Sequence, residues 1–290
     1  MQILNSHRTC YAHPHMRQCS AVLSCFSLGL LGQVLAFDVV IPSTEKDLST
    51  LNACIQGARD HIRGVERIFV VSKMQLTTEA AWVPESTYPF TLAMVGAELF
   101  GGELIAWERA CKKGFSRTGW YLQQLLKLYA PTAIPDLSEH YLVLDSDVVF
   151  FKDPQLFVDG VPCYIKATEN HPPYLMHMGR LLPGLHRMTR GVSGVAHHMI
   201  LSRPVLRELM GEVQDRWQEP FWKMFLRCVD PKHRAQSGAS EYELYFNYLQ
   251  WRGYPMRMRN LIWTTSPSPE EMPSHATESW HYIAYPSFLR

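Results

Sequence analysis

Two aspartates one residue apart, Asp145 and Asp147, interrupt an otherwise apolar stretch, YLVLDSDVVFFKDP, running from Tyr141 to Pro154. If the extended backbone of the preceding residues persists, side chains two apart share a face and the carboxylates stand about 6 to 7 Å from each other. At an effective dielectric of about 20 their repulsion is ~2.5 kcal/mol, before either group loses its water. A hard divalent cation such as Mg²⁺ or Mn²⁺ takes carboxylate oxygens and offsets that repulsion. The plain alternative is a solvated strand end where aspartate starts a turn. The flanks favour a ligand. An apolar run precedes the pair and another follows it, closed by Lys152-Asp153-Pro154, so the acids sit at the carboxyl end of a strand, where open α/β sheets bind their ligands.

The elements that must hold this pair can be read from periodicity. FDVVIP from Phe37 is a buried strand, Ser43-Thr44-Glu45-Lys46-Asp47 is a helix-start signal, LSTLNACIQGARDHI has helical apolar spacing, and VERIFVVS is a second strand. A right-handed crossover makes the two strands parallel neighbours in one sheet. Trp82 to Ser86 reads as a loop. GWYLQQLLKLY, from Gly119 to Tyr129, reads as a helix that Ala130-Pro131 stops, with Leu122, Leu125, Leu126 and Tyr129 as its buried stripe. Gln124 and Lys127 stand off that stripe, either on a solvated face or bordering the cleft beside the acidic pair.

The chain has 290 residues, 47% of them hydrophobic, which fits one generous α/β domain. Its net charge of +1 has no long run of one sign, so there is no electrostatic footprint for nucleic acid or an acidic membrane. Among the 13 histidines, His197 and His198 lie in an apolar, strand-like segment and face opposite sides, one of them toward a cleft. His171, His177 and His186 lie in ENHPPYLMHMGRLLPGLH, read as a Pro- and Met-rich loop over the acceptor side, and the absence of a short H-x-x-x-H pair speaks against zinc. No C-x-x-C pair occurs either. Thr265 to Ser274 is a Ser/Pro-rich stretch read as a flexible segment.

Four segments in this order, RTGWYLQQLLKLYAP, YLVLDSDVVFFKDP, GVSGVAHHMILSRPVLREL and SEYELYFNYL, resemble a family of glycosyltransferase-like proteins of GT-A architecture, largely described as a domain of unknown function. The resemblance covers about Phe37 to the C-terminus. It implies an α/β/α sandwich with a mostly parallel central sheet that binds a nucleotide sugar, UDP being the expected nucleotide, and transfers the sugar to a carbohydrate or glycoconjugate hydroxyl. It further implies that Asp145 and Asp147 hold Mn²⁺ or Mg²⁺ against the donor diphosphate, with a C-terminal histidine as third ligand. His281 is the nearest match.

Sugar transfer needs a base for the acceptor proton in an inverting enzyme. In Ser240-Glu241-Tyr242-Glu243 the S-x-x-E spacing assigns Glu243 to a capping box with Ser240. Glu241 is then the candidate base, its alternative being a favourable interaction with the helix dipole. Ser43, Arg117, Trp120, Gln124, Lys127, Ser193, His198 and Tyr242 are the candidates for donor or acceptor binding. Two other classes remain open: a nucleotidyltransferase, although no Gly-rich phosphate loop with a basic partner follows the first strand, and a catalytically silent carbohydrate-binding protein.

Residues 1–36 differ from the rest. No charge occurs between Arg17 and Asp38, and Val34-Leu35-Ala36 offers small residues at a cleavage position, a signal-peptide pattern with a single-span anchor or an incidental hydrophobic extension as rivals. Cleavage implies a secretory-pathway or secreted location. It leaves Cys54, Cys111, Cys163 and Cys228, an even number compatible with disulfides.

Overall fold

A computed structural model describes residues 35–114, 116–271 and 279–286. The expected signal segment therefore lies, up to residue 34, outside the described residues. No helix among the described residues is long and apolar enough to cross a membrane.

The chain opens as strand β1 (Phe37–Pro42), helix α1 (Leu48–His61) and strand β2 (Val65–Ser72), with the two strands bounded as the sequence predicts and paired in parallel. Strand β3 (Ala81–Pro84) adds to β2 where a loop is expected, and helices α2 (Leu92–Leu99), α3 (Leu104–Lys112) and α4 (Thr118–Ala133) follow. Strand β4 (His140–Leu144) then pairs with β1, and a tight turn leads into β5 (Val148–Phe150). Beyond them come β6 (Phe157–Val158), β7 (Val161–Ile165), α5 (Pro172–Leu181), β8 (His198–Ser202), α6 (Arg203–Trp217), α7 (Phe221–Arg227) and α8 (Glu241–Arg252). Short strands β9 (Arg257–Arg259), β10 (Trp263–Thr265) and β11 (Tyr282–Ala284) complete the described chain.

The central sheet has the order β3-β2-β1-β4-β8, parallel except for β8, which runs antiparallel to β4. This is a mixed α/β fold with a mostly parallel central sheet. Every residue of β1 is buried, as both faces of a parallel sheet are covered. On one face, Val40, Tyr141 and Val143 meet Tyr121 and Leu125 of α4 and Tyr245 and Phe246 of α8. On the other, Val39, Ile41 and Leu142 meet Leu51 and Ile55 of α1, with Phe150 and Tyr282. Asp38, fully buried in β1, is held by Arg67 at 2.7 and 2.9 Å and by the Ser138 amide at 2.8 Å.

Two segments depart from the sequence reading. ENHPPYLMHMGRLLPGLH contains helix α5, because prolines at its first two positions cost no helical hydrogen bond and preset φ. Pro131 does not stop α4 but sits inside its last turns. Its missing N–H leaves the Lys127 carbonyl without a helical donor, and the Tyr141 hydroxyl donates to that carbonyl at 3.0 Å. Helix α4 is thereby pinned to β4 at the residue whose side chain enters the site.

The turn after β4 is set by the packing of α1 on β5. A Cβ added at Gly57 of α1 would come 2.9 Å from the Phe150 carbonyl oxygen and 3.0 Å from its nitrogen, backbone atoms that cannot step aside. Gly57→Ala gains about 1 kcal/mol of helix propensity and loses more to overpacking, about 1–3 kcal/mol. Chemical denaturation is expected to show a lower midpoint with an unchanged slope; a midpoint at or above wild type would contradict this contact.

Candidate active site

Asp145 follows the last residue of β4, and the extended backbone ends there: the Val148 amide donates to the Asp145 carbonyl at 3.2 Å, closing a turn over Ser146 and Asp147. The two acids are brought together by this turn and not by a strand pleat. The Asp145 amide donates to the His197 carbonyl at 3.0 Å, which anchors the turn to the residue preceding β8.

The Asp145 carboxylate meets Lys127. The Lys127 ammonium, on a side chain only 3% exposed, lies 2.5 Å from Asp145 Oδ1, 2.8 Å from Glu241 Oε1 and 3.0 Å from the Tyr242 hydroxyl. An ammonium has three donors, and here each has an acceptor. Burial alone would push this lysine toward neutrality, but Asp145 and Glu241 hold it well above its ordinary value. Burial raises Glu241 above the usual carboxylate range, with Lys127 opposing the rise. One buried cation therefore serves two carboxylates, and the third has none. Asp147 forms no ion pair among the described residues, and burial together with Asp145 and Asp47 pushes its carboxyl up to about 7. Asp47, at the start of α1, accepts from the Ser146 hydroxyl at 3.1 Å and the Thr44 hydroxyl at 3.3 Å.

Two cavities each have a lining residue hydrogen-bonded to the turn, Asp47 in one and His197 in the other. One of about 600 Å³ opens at the carboxyl ends of β1 and β2, bounded by Ser43, Asp47, Lys73, Arg117 and Trp120. The Ser43 hydroxyl is buried there without a hydrogen-bond partner among the described residues. The Arg117 guanidinium lies 5.0 Å from the Trp120 ring centroid and donates to the Ser237 hydroxyl at 2.6 Å, and Trp120 also stacks on Tyr174. The second cavity, of about 460 Å³, includes His197 and Trp263.

Of the residues singled out in the sequence, Ser43, Arg117 and Trp120 share the larger cavity, and Asp145, Lys127, Glu241 and Tyr242 form one buried cluster. Gln124 is not solvated: its side-chain carbonyl caps α8 by accepting from the Glu241 amide at 3.0 Å. Ser193 is internal, donating to Glu243 at 2.5 Å and accepting from the Val195 amide at 3.1 Å. His198 is also internal, packed on Phe150 and Tyr282 and 3.0 Å from Arg259, so His197 is the histidine that reaches a cavity. Ser240 caps α8 as expected, accepting from the Glu243 amide at 3.2 Å. Glu243 does not return the bond; its carboxylate instead binds Ser193, the Gly194 amide at 2.9 Å and Arg187 at 3.0 Å. Cys54, Cys111, Cys163 and Cys228 are free thiols, so their even number reflects no pairing. Asp47 and His197 are the site residues that sequence reasoning missed.

His281 does not join the acids. Strand β11 runs antiparallel to β5 with Ala284 opposite Val148 and Tyr282 opposite Phe150, which puts His281 at the end of β5 remote from Asp147, about 13 Å along the strand. Its Nδ1 accepts from the Ile262 amide at 3.1 Å. No group of three His, Cys, Asp or Glu side chains among the described residues is arranged to hold a metal ion. Asp147 and the remaining oxygen of Asp145 nevertheless fit a hard divalent cation of the Mg²⁺ type, which uses one or two carboxylates and fills its other positions with phosphate oxygens and water.

The sequence profile of one protein family matches residues 36–283. The chain belongs to the DUF6492 family, a family of unknown function. Solved structures similar to this DUF6492 protein include mouse xyloside xylosyltransferase 1 in its apo form, 12% identical, covering 87% of this chain and 97% of that one at a TM-score of 0.39. An active-site mutant of LgtC is 12% identical with 86% of each chain covered at 0.40, and the galactosyltransferase LgtC with donor and acceptor sugar analogues is 10% identical with the same coverage at 0.40. Comparison with curated proteins gives no match.

The raised carboxyl of Asp147 has a measurable consequence. The folded state keeps the Asp147 proton up to about pH 7, whereas the unfolded chain releases it near 3.8, so metal-free stability falls as pH rises through that window. Asp147→Asn removes the penalty. In EDTA its unfolding free energy should exceed wild type by roughly 1–3 kcal/mol above pH 7, the gain shrinking toward pH 4; a variant less stable than wild type at pH 8 would contradict the assignment.

Proposed function

We propose that this DUF6492 protein is a metal-dependent glycosyltransferase that moves a sugar from a nucleotide-sugar donor, a UDP-sugar by analogy, to a carbohydrate or glycoconjugate hydroxyl. The observation that carries the reading is Asp147, a carboxylate that burial, Asp145 and Asp47 push toward neutrality and that has no ion pair among the described residues, while its neighbour Asp47 lines the larger cavity. Asp147 and Asp145 would hold Mn²⁺ or Mg²⁺, which when bound would offset the charge on a leaving nucleoside diphosphate. The cavity volume suits a nucleotide. Trp120, braced by Tyr174 and Arg117, supplies a flat apolar wall, and the unpartnered Ser43 hydroxyl and Lys73 supply polar contacts.

Glu241 takes a different part in this proposal from the base expected of it. Its carboxylate is buried and engaged by Lys127 at 2.8 Å. We assign it a positioning role: Glu241 fixes the Lys127 ammonium, which in turn fixes the Asp145 carboxylate and keeps its other oxygen aimed at the donor. The secretory location rests on the N-terminal apolar run alone.

A thermal-shift titration with UDP, with and without Mn²⁺, tests both statements. Wild type at 100 times the dissociation constant should gain about 2.7 kcal/mol of stability, and only with the metal present. Glu241→Gln should weaken that metal-dependent binding and lower turnover together. A direct base would instead leave binding intact and lower turnover about 10²- to 10⁴-fold. No Mn²⁺-dependent gain with UDP or any other nucleoside diphosphate would sink the proposal.

A further inference from the structure

The second cavity has features that the donor reading does not use. It is tied to the acidic turn through a different residue from the larger cavity: Asp47 and Ser43 belong to the larger one, while His197, whose carbonyl accepts from the Asp145 amide at 3.0 Å, belongs to this one. The turn is thus linked by hydrogen bonds to one lining residue of each cavity, of about 600 and 460 Å³.

Its wall is aromatic. Trp263 lies on β10, which pairs only with β11 in its small sheet, and remains 41% exposed despite its size. One face of its ring stacks on Tyr282, with centroids 5.5 Å apart and planes within 5°, and the His197 ring packs against it in a T-shaped arrangement at 4.8 Å. The Tyr282 hydroxyl lies 3.3 Å from His197 Nδ1. An indole braced in this way is stiff, so laying a ligand on it costs little side-chain entropy.

The lining also carries four polar side chains that are uncommitted. The side chains of Lys166, Thr168, Glu169 and Asn260 make no hydrogen bond or ion pair among the described residues. Together they offer a cation, an anion, a hydroxyl and an amide around one aromatic platform. This mixture suits a neutral molecule with many hydroxyls, each able both to donate and to accept. It suits a phosphorylated ligand poorly, because Glu169 opposes the charge that Lys166 attracts.

We propose that this cavity is the acceptor site and that it takes the terminal pyranose of a neutral glycoside, the apolar ring face resting on Trp263 and the hydroxyls meeting Asn260, Glu169 and Lys166. The assignment rests on the glycosyltransferase reading for the word acceptor, but binding of the glycoside does not depend on the donor.

Saturation-transfer NMR with methyl β-glucopyranoside, methyl β-galactopyranoside and methyl α-mannopyranoside, against methyl β-glucuronide and UMP, tests it on the full chain without nucleotide. At least one neutral glycoside should bind wild type. Trp263→Ala should weaken that binding about tenfold or more, Trp263→Phe much less, and Asn260→Ala several-fold. An unchanged UDP–Mn²⁺ thermal shift in each variant shows that the fold is intact. Failure of all three neutral glycosides to bind wild type, wild-type binding by both Trp263→Ala and Asn260→Ala, or preference for the charged comparators would overturn the inference. Loss of the UDP–Mn²⁺ response in wild type, with glycoside binding retained and sensitive to Trp263, would overturn the donor reading alone.

Discussion

The arrangement of the site depends on one ammonium group in a dry interior. Lys127 touches Asp145, Glu241 and Tyr242, and its side chain is 3% exposed. Removing an ion from water costs several kcal/mol, and only near-complete pairing offsets it; deleting one partner of such a cluster typically costs 3–5 kcal/mol. The cluster therefore constrains what surrounds it. Helix α4 must present Lys127 at one height, which the Tyr141 hydroxyl fixes by binding the carbonyl that Pro131 leaves free. Helix α8 must begin where Gln124 can cap it, so that Glu241 and Tyr242 close around the same lysine.

Charge counting then accounts for the rest. Asp145 and Glu241 share Lys127, and Asp147, pressed by burial, Asp145 and Asp47 and without an ion pair among the described residues, is left to hold its proton to about pH 7 or to find a cation from outside. A site with this residual demand, beside a cavity of nucleotide size, supports a reading in which a metal arrives with a diphosphate instead of residing in a full protein cage. The absence of His281 from the acids agrees with such an incomplete ligand set, since phosphate oxygens can occupy the positions that a third side chain would fill.

Much of this was legible from local sequence. Strands β1 and β2 carry apolar runs with clear ends, and the acidic pair announces itself because two charges break a buried segment. Gln124 and Lys127 were harder, since a helical stripe identifies one dry face and says nothing when a second face is covered by another helix, here α8. The Pro pair at Pro172 suggests a loop until its place at a helix start is considered. Glu243 satisfies the spacing of a capping box, yet Ser193, Gly194 and Arg187 offer its carboxylate stronger partners that are remote in sequence. The same holds for His281 and His197, whose positions follow from the registers of β11 on β5 and β8 on β4, which no local pattern encodes.

The central claim is that Asp147 and Asp145 complete their charge balance with a divalent ion that carries a nucleoside diphosphate. Anomalous diffraction from crystals grown with Mn²⁺ and UDP tests it directly. The account predicts a manganese peak within about 2.2 Å of an Asp147 carboxylate oxygen, with the uridine beside Trp120 and Ser43. A manganese or nucleotide site elsewhere, with Asp147 unligated and Lys127 still filling the turn, would contradict it.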